Sequence, residues 1–220
     1  MSPAQLAEMF YRAGIAPWDI GESQPIIRQL VALGAIRGDV LDPGCGTGWN
    51  AIEYARAGCT VTGIDASRTA IQRARRNRTE TGATVDFQIG DATRLQGEAR
   101  FDTVVDSKLY DNLEPADRPR YTAVLHRILK PGGRLYMFGF GPGLVNGVHN
   151  HLLGEPDYEQ LLPAAGFTIT YIGETTYQVV NALTGPICPD CPTVVSGERI
   201  HIPMTEIHAT RPHTQPKGAR

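Results

Sequence analysis

The feature that most constrains this chain is a glycine turn that follows a short apolar strand. The run Val40-Leu41-Asp42-Pro43-Gly44-Cys45-Gly46-Thr47-Gly48 has a glycine at every second position of the turn, and a helix-like segment follows. Glycines let the backbone bend tightly and leave no side chains between the turn and a ligand. The spacing is G-x-G-x-G, and Trp49 stands where the dinucleotide-binding G-x-G-x-x-G pattern has its third glycine. The turn therefore predicts a ligand site and disfavours a nicotinamide-dependent oxidoreductase.

Two further acids follow strands at spacings that suit a nucleoside. Residues 59–65 have the pattern of a second strand that ends in Asp65, 23 residues after Asp42. An acid about 20 residues beyond such a turn can bind both ribose hydroxyls. A third strand at 85–89 is followed by Asp91, whose carboxylate could accept a hydrogen bond from an adenine amino group. The alternative is that these acids cap turns or helices at strand ends.

Together these motifs resemble the class I S-adenosylmethionine-dependent methyltransferases. The resemblance rests on five segments, which read LDPGCGTG, VTGIDAS, IGDAT, FDTVVDS and LKPGGRLYMF. It implies S-adenosylmethionine as the cofactor, with Asp42 and the glycines at its aminocarboxypropyl end, Asp65 at the ribose and Asp91 at the adenine. The cofactor-binding residues predicted in this way are Trp18, Asp42, Gly44, Cys45, Gly46, Gly48, Asp65, Ala66, Asp91, Ala92 and Asp106.

Strands and helices alternate along the chain. The patterns predict strands near 39–42, 60–64, 84–89, 101–106, 133–140, 167–180 and 199–209, and helices near 49–57, 67–80, 117–129 and 155–164. This order predicts an α/β fold with a doubly wound, mostly parallel sheet, and ligands beyond the carboxyl ends of its strands. The resemblance adds that the Rossmann-like sheet has seven strands, the last of them antiparallel.

The first 35 residues are predicted to form a helical cap on the same domain. Ser2 and Gln5 are spaced as a capping box, and helical spacing of apolar residues continues to Gly14. A second helix is predicted to have Ser23 as its cap.

Length and composition favour one domain without nucleic-acid or membrane partners. At 220 residues the chain can bury a sizeable core, which we place at 36–210 between the cap and a mobile tail at 211–220. The net charge of −2 and a pI near 6.3 give no reason to expect nucleic acid. No apolar stretch approaches membrane-spanning length, and no signal peptide is evident. We expect a cytoplasmic monomer or homodimer.

The four cysteines are too few for a disulfide scaffold at this length. Cys188 and Cys191 form a C-x-x-C pair, and His201 and His208 follow downstream. A second C-x-x-C is absent from the sequence, and proline within the pair suits a stiff loop. We therefore predict no metal site, with zinc as the alternative.

Three segments are expected to converge on the methyl group of the cofactor. The first contains Trp18 and is similar to the tryptophan motif of thiopurine methyltransferases and related bacterial enzymes, in which it closes over the cofactor. The loop after the fourth strand carries Tyr110 and Asp111, which could orient a nucleophile or take its proton. His149 and His151 follow the fifth strand as candidates for a general base or for orienting the acceptor. The alternatives are packing for Trp18 and Tyr110, a helix cap for Asp111 and solvated histidines.

The connection at 181–198 is longer than a hairpin needs. The implied topology places it at the same edge of the sheet, so we expect it to form a wall of the acceptor pocket. A surface insertion without ligand contact is the alternative.

These observations predict a methyltransferase that acts on O, N or S of a small aromatic or heterocyclic metabolite, in secondary metabolism or detoxification. One alternative is a protein or tRNA methyltransferase, although Asp106-Ser107-Lys108 stands where many amide and base N-methylating enzymes carry Asn-Pro-Pro-Tyr. Another is a non-catalytic regulatory protein that binds the same cofactor. Because an acidic acceptor needs no base and a neutral one does, the sequence leaves the acceptor atom open.

Overall fold

The computed structural model describes residues 2–140, 157–180 and 199–213, and the backbone alone of 144–145 and 148–149. Its helices are α1 (Pro3–Ala13), α2 (Pro25–Ala32), α3 (Trp49–Arg56), α4 (Arg68–Thr81), α5 (Arg118–Ile128) and α6 (Tyr158–Ala164). Its strands are β1 (Asp39–Pro43), β2 (Thr60–Asp65), β3 (Val85–Ile89), β4 (Phe101–Ser107), β5 (Leu129–Phe140), β6 (Leu144–Val145), β7 (Val148–His149), β8 (Thr168–Val180) and β9 (Arg199–Thr210). Short 3-10 turns at Ala92–Arg94 and Tyr110–Asn112 follow β3 and β4.

Seven strands form one sheet in the order β3-β2-β1-β4-β5-β9-β8. Strands β1 to β5 are parallel, and β9 lies antiparallel between β5 and β8. The predicted seven-stranded sheet with an antiparallel last strand is therefore confirmed. Strands β6 and β7 pair as a separate ribbon, which the sequence did not predict because two residues are too few to show an alternating pattern.

Helices cover both faces of the sheet, and their packing holds the central strands in place. Val40 and Leu41 of β1 are fully buried and point to opposite faces, as successive strand residues do. Val40 packs in the cluster that includes Ile27 of α2 and Ile52 of α3, and Leu41 in the cluster that includes Leu125 of α5. Each buried side chain of this size contributes about 1.5–3 kcal/mol. Strand β1 is therefore supported rigidly on both faces.

One of the two predicted N-terminal caps is confirmed and the other is wrong. Ser2 Oγ accepts from the Gln5 amide over 3.3 Å, and the Ser2 amide donates to Gln5 Oε1 over 2.9 Å, which completes the capping box. Helix α2 instead has Gln24 as its N-cap, with no side-chain cap bond. Ser23 is used elsewhere, because its hydroxyl donates to Asn50 Oδ1 on α3 over 3.0 Å.

The N-terminal segment packs against the carboxyl edge of the sheet. Glu8 on α1 accepts from the hydroxyls of Ser67 and Thr69 at the start of α4, over 2.6 and 2.7 Å. The Thr47 hydroxyl, within the glycine turn, donates to Asp19 Oδ1 over 2.7 Å. These bonds place α1 and the following segment beside the turn. Among the described helices, none has the length and apolar character needed to cross a membrane.

Candidate cofactor and acceptor site

The glycine turn joins β1 to α3 at the carboxyl edge of the sheet. Its backbone is left-handed at Gly46, with φ of 54°, and at Gly48, with φ of 85°, which glycine adopts without strain. A Cβ atom at position 46 would lie 2.6 Å from Tyr11 Oη, and one at position 48 would overlap the Phe87 ring. Glycine is therefore required at both positions by the bend and by close neighbours.

Hydrogen bonds fix the turn against the end of β2. The amides of Gly44 and Cys45 donate to the Ile64 carbonyl oxygen over 2.7 and 3.0 Å. The Gly46 amide donates to Asp65 Oδ2 over 2.9 Å. Burial raises the pKa of the Cys45 thiol, which therefore stays protonated at neutral pH. The turn is consequently held before any ligand binds.

Asp65 lies at the end of β2, where an acid for ribose was predicted. Its Oδ1 accepts from the Ser67 amide over 2.8 Å, so each of its oxygens has one backbone donor. Burial raises the pKa of Asp65, and these two N–H bonds oppose the rise. An ionised carboxylate has about four lone-pair sites, so Asp65 keeps capacity for two hydroxyl donors. Ala66, the neighbouring predicted residue, is exposed.

Asp42, the first acid of the motif, is buried at the end of β1. Among the described residues, neither of its carboxylate oxygens has a hydrogen-bond partner. Burial raises the pKa of Asp42 well above its usual range, and the carboxylates of Asp106 and Asp65 raise it further. The Ala51 amide, which lies outside hydrogen-bond geometry, opposes this rise only in part. An unpaired buried acid is costly, so a cationic ligand group would be stabilised here.

Asp91 follows β3 and acts as the cap of a 3-10 turn. Its Oδ1 accepts from the amide and the hydroxyl of Thr93 over 2.9 and 2.7 Å, and its Oδ2 lies 3.2 Å from Arg94 Nε. The side chain is 49% exposed. Ala92, also predicted to touch the cofactor, is buried beside it. The capping role that the sequence left open is therefore present, and any adenine contact comes in addition to it.

Trp18 packs within the N-terminal segment and is still 41% exposed. Its indole N–H donates to Tyr11 Oη over 2.7 Å, and its ring makes edge contacts with Phe10 and Tyr11 at centroid distances of 5.6 and 5.9 Å. Tyr11 Oη in turn approaches Gly46 of the turn. Trp18 is thus linked to the glycine turn through Tyr11, so its packing role and a place near the cofactor are compatible.

Asp106 at the end of β4 holds the loop that follows it. Its oxygens accept from the amides of Leu109 and Tyr110, over 2.8 Å for the first, and from the Tyr121 hydroxyl over 2.7 Å. The carboxyl group is fully buried, which raises its pKa to about 7 against the effect of these hydrogen bonds. All of these partners are internal, so the structure gives Asp106 a role in shaping the loop.

Tyr110 and Asp111, the phenol and the acid predicted after β4, are both buried, and both form hydrogen bonds within the protein. The Tyr110 hydroxyl donates to Asp157 just before α6, and the Tyr158 hydroxyl donates to Asp111 Oδ1. Asp111 Oδ2 accepts from the Phe140 amide over 2.5 Å. Burial raises the pKa of both tyrosines. These contacts connect the ends of β4 and β5 to α6.

Lys108 is a residue of this loop that the sequence analysis did not select. It is left-handed, with φ of 81°, and Ala99 is the only other non-glycine residue in the described part of the chain with positive φ. Its ammonium lies 3.4 Å from Asp111 Oδ2 and over the Phe140 ring. Burial lowers the pKa of Lys108 to about 7, against the opposing effect of Asp111. Its position directly after a central strand was the only sequence signal available.

A polar network that the sequence analysis also missed connects β4, α3 and β8. Ser107 Oγ lies 3.0 Å from Tyr177 Oη and accepts from Asn50 Nδ2 over 3.3 Å. Asn50 Oδ1 accepts from the Ser23 hydroxyl and the Gln24 amide. Hydroxyl and amide groups at three strand and helix ends are thereby held at the carboxyl edge. Partners so far apart in sequence leave no local pattern.

Several predicted positions lie partly or wholly outside the described residues. His149 is described only by its backbone in β7, and His151 and the connection at 181–198, with Cys188 and Cys191, are outside the description. Within the residues that are described, no group of three or more His, Cys, Asp or Glu side chains is placed to hold a metal ion.

Comparisons with known proteins agree with this geometry. A family model described as a methyltransferase domain matches residues 40–133. A 2-heptyl-1-hydroxyquinolin-4(1H)-one methyltransferase from Mycobacteroides abscessus is 35% identical over 152 residues, or 66% of this chain and 66% of the relative. A protein from Arabidopsis thaliana named probable thiol methyltransferase 2 is 31% identical over 163 residues, or 73% of this chain and 72% of the relative.

Similarity to a solved structure covers nearly the whole chain. The structure is described as "Conversion of a Disulfide Bond into a Thioacetal Group during Echinomycin Biosynthesis" and is 29% identical, with a TM-score of 0.78. The alignment covers 97% of this chain and 94% of the other. The cap, the sheet and the helices on both faces are therefore shared as one arrangement.

Proposed function

The chain belongs to the S-adenosylmethionine-dependent methyltransferases, and from this membership we propose that it methylates an oxygen, nitrogen or sulfur atom of a small aromatic or heterocyclic metabolite. The cofactor S-adenosylmethionine supplies, when bound, a methyl group on a positively charged sulfur. The observation that carries the cofactor-binding part of the proposal is the buried Asp42 carboxyl beside the glycine turn, whose oxygens have no hydrogen-bond partner within the described residues. It suits the ammonium at the aminocarboxypropyl end of the cofactor.

The remaining cofactor contacts follow from the same edge of the sheet. Asp65 would accept both ribose hydroxyls, since within the described residues each of its two oxygens has a single backbone donor. Asp91 with Ala92 would lie at the adenine, and Ala66 beside the ribose. Trp18 would lie near the sulfonium, where a cation is attracted by an aromatic face. The backbone of the glycine turn, which has no side chains at Gly44, Gly46 and Gly48, would form the rest of the cofactor site.

A small acceptor is supported by the relatives and by the arginines of α4. The two relatives are named for a hydroxyquinolone and for a thiol. In the densest basic run, Arg75 and Arg78 donate to the carbonyls of Phe87 and Val85 over 2.7 and 3.0 Å, so they tie α4 to β3. These cations are therefore engaged within the fold, which does not favour a phosphate-binding stripe.

Catalysis would come largely from alignment and from exclusion of water, because a sulfonium needs no activation as a leaving group. Tyr110 and Asp111 would position the acceptor-side loop through their bonds to Asp157 and Tyr158. His149 and His151 would orient the acceptor from the segment after β5. The connection at 181–198 would form a wall of the pocket, and its deletion should then change the range of acceptors without changing cofactor affinity.

The proposal is tested by calorimetry followed by a transfer assay. Titration of the protein with S-adenosylmethionine should give one binding site, and light scattering should show a monomer or a homodimer. Incubation with methyl-labelled cofactor and a panel of phenols, thiols and N-heterocycles should then give a labelled product. Tight cofactor binding without transfer to any small acceptor would refute the proposed acceptor class.

A further inference from the structure

The backbone at Lys108 is held in a conformation that its side chain disfavours. Its φ of 81° lies in the left-handed region, which a non-glycine residue rarely adopts. The Lys108 amide donates to the Phe138 carbonyl over 3.1 Å, and Asp106 fixes the next two amides. Such backbone strain persists where the neighbouring structure holds the residue in place, and strained residues are concentrated at functional sites. The fold therefore imposes this direction on the Lys108 side chain.

The side chain of Lys108 is turned inward at the ends of β4 and β5. It is 15% exposed, and Asp111, its ion-pair partner at 3.4 Å, is 9% exposed. Asp111 already accepts from Tyr158 and from the Phe140 amide. Within the described ranges, Asp111 is the one hydrogen-bond acceptor of the ammonium, which has three donors.

The loop that carries Lys108 abuts the cofactor turn. A Cβ atom at Gly44 would lie 2.9 Å from Leu109 Cβ, the neighbour of Lys108. Strands β1 and β4, from which the turn and the loop emerge, are paired directly. The loop that carries Lys108 is therefore packed directly against the turn that would hold the cofactor.

The groups around Lys108 allow both of its protonation states at neutral pH. Asp111 on its own loop and Asp106 at the end of β4 favour the ammonium, while burial disfavours it and brings the pKa to about 7. From the neighbouring elements, β5 contributes the uncharged Phe140 ring and α6 the Tyr158 hydroxyl, which is bonded to Asp111. A base is most effective when its pKa is near the working pH.

We infer that Lys108 is the general base of the reaction, and that the acceptor carries an ionisable O–H or S–H group. This inference rests on the proposed function. The X–H bond of the acceptor breaks and its proton passes to the lone pair of the Lys108 amine. Atom X bonds to the methyl carbon while the carbon–sulfur bond of the sulfonium breaks, and that electron pair stays on sulfur. Asp111 holds the resulting ammonium until the proton is lost to water.

The test compares Lys108→Ala with a matched control, Lys130→Ala. Lys130 is likewise a lysine in an ion pair with aspartate. It pairs with Asp39 and Asp102 at 2.8 Å each, at the opposite edge of the sheet. Single-turnover transfer is measured against pH for phenols and aromatic thiols of graded acidity, from phenol itself with a pKa of about 10 to 4-nitrophenol. Cofactor affinity is measured by calorimetry for each variant.

Wild-type transfer to the least acidic acceptors should rise with pH through about 7, as Lys108 loses its proton. Lys108→Ala should lower that transfer at least about 100-fold and remove the rise, while acceptors already ionised lose less than about threefold. Methylamine or ethylamine should restore the lost activity, and Lys130→Ala should behave as wild type. Cofactor affinity should be unchanged in both variants.

Three results would overturn the inference in distinguishable ways. Cofactor binding without transfer by the wild-type protein would remove the proposed function and this role with it. Transfer that keeps its rate and pH profile in Lys108→Ala would remove the role alone. An equal loss on all acceptors, without amine rescue, would show a structural role. Lys108→Gln, which keeps a donor for Asp111, decides the question by the same criteria if the alanine variant does not fold.

Discussion

Replacement of Asp42 by asparagine should stabilise the ligand-free protein and weaken cofactor binding. Burial raises the pKa of Asp42, so the folded state holds a proton that the unfolded chain releases above about pH 4. Stability is therefore lost as the pH rises from about 4 toward the raised pKa. Asparagine cannot titrate and avoids this loss, although its amide is still unpaired.

The size of both effects can be worked from the site. Each unit of a pKa shift corresponds to about 1.4 kcal/mol, and about 1.4 kcal/mol raises the melting temperature of a chain of this length by about 3–6 °C. Loss of a charge-assisted hydrogen bond to the cofactor should cost about 1.5–3 kcal/mol, which is roughly a 10- to 150-fold weaker affinity.

Scanning calorimetry at about pH 5 and about pH 8, with titration by S-adenosylmethionine, measures both quantities for Asp42→Asn. Asp39→Asn is the matched control, because Asp39 lies on the same strand, is 45% exposed and, among the described residues, forms an ion pair with Lys130 at the opposite edge. It should change stability by at most about 1 kcal/mol and leave the affinity unchanged. The reasoning would be refuted if Asp42→Asn bound the cofactor normally. It would also be refuted if the stability of the variant fell more than that of the wild-type protein between the lower and the higher pH.

Four other substitutions test the rest of the site. Asp65→Ala should weaken cofactor binding about 10- to 150-fold in calorimetry, because the ribose acceptors are lost; normal affinity would contradict that role. Gly46→Ala should lower the melting temperature and the cofactor affinity together, since its φ is 54° and its Cβ would lie 2.6 Å from Tyr11 Oη; a fully stable, active variant would show that the turn tolerates a side chain. His149→Ala or His151→Ala should lower kcat/KM for the acceptor with unchanged cofactor affinity, and wild-type kinetics in both would exclude a part in catalysis.

The elements of the fold could be predicted because their signals are local. The alternation around β1 to β4 and the glycine turn each lie within a few residues, and the seven strands with an antiparallel last strand then follow from the family resemblance. Strand β5 begins at Leu129 rather than at 133, because Leu129 already pairs with Phe101 of β4. The register then shifts over Lys130-Pro131-Gly132-Gly133, and pairing resumes at Arg134.

Much of the site could not be predicted, because its partners are far apart in sequence. Tyr110 pairs with Asp157 and Asp111 with Tyr158, both 47 residues away. The left-handed backbone of Lys108 depends on how the loop after β4 packs against β5. Residue propensities do not predict such packing. Ser23 was wrongly taken as a cap, since a serine before a helix has the same local pattern whether it caps or, as here, donates to Asn50.

Asp111 has a consequence for engineering. The Asp111 carboxylate accepts hydrogen bonds from the Phe140 amide at the end of β5 and from the Tyr158 hydroxyl at the start of α6. It therefore holds together the two ends of the sequence that lies between them. Because closing a loop of twice the length costs only about 0.6 kcal/mol more, stretches of different length can be grafted between these two anchor points. The sheet and its glycine turn would be left untouched, so this stretch can be exchanged with that of a relative without disturbing the rest of the fold.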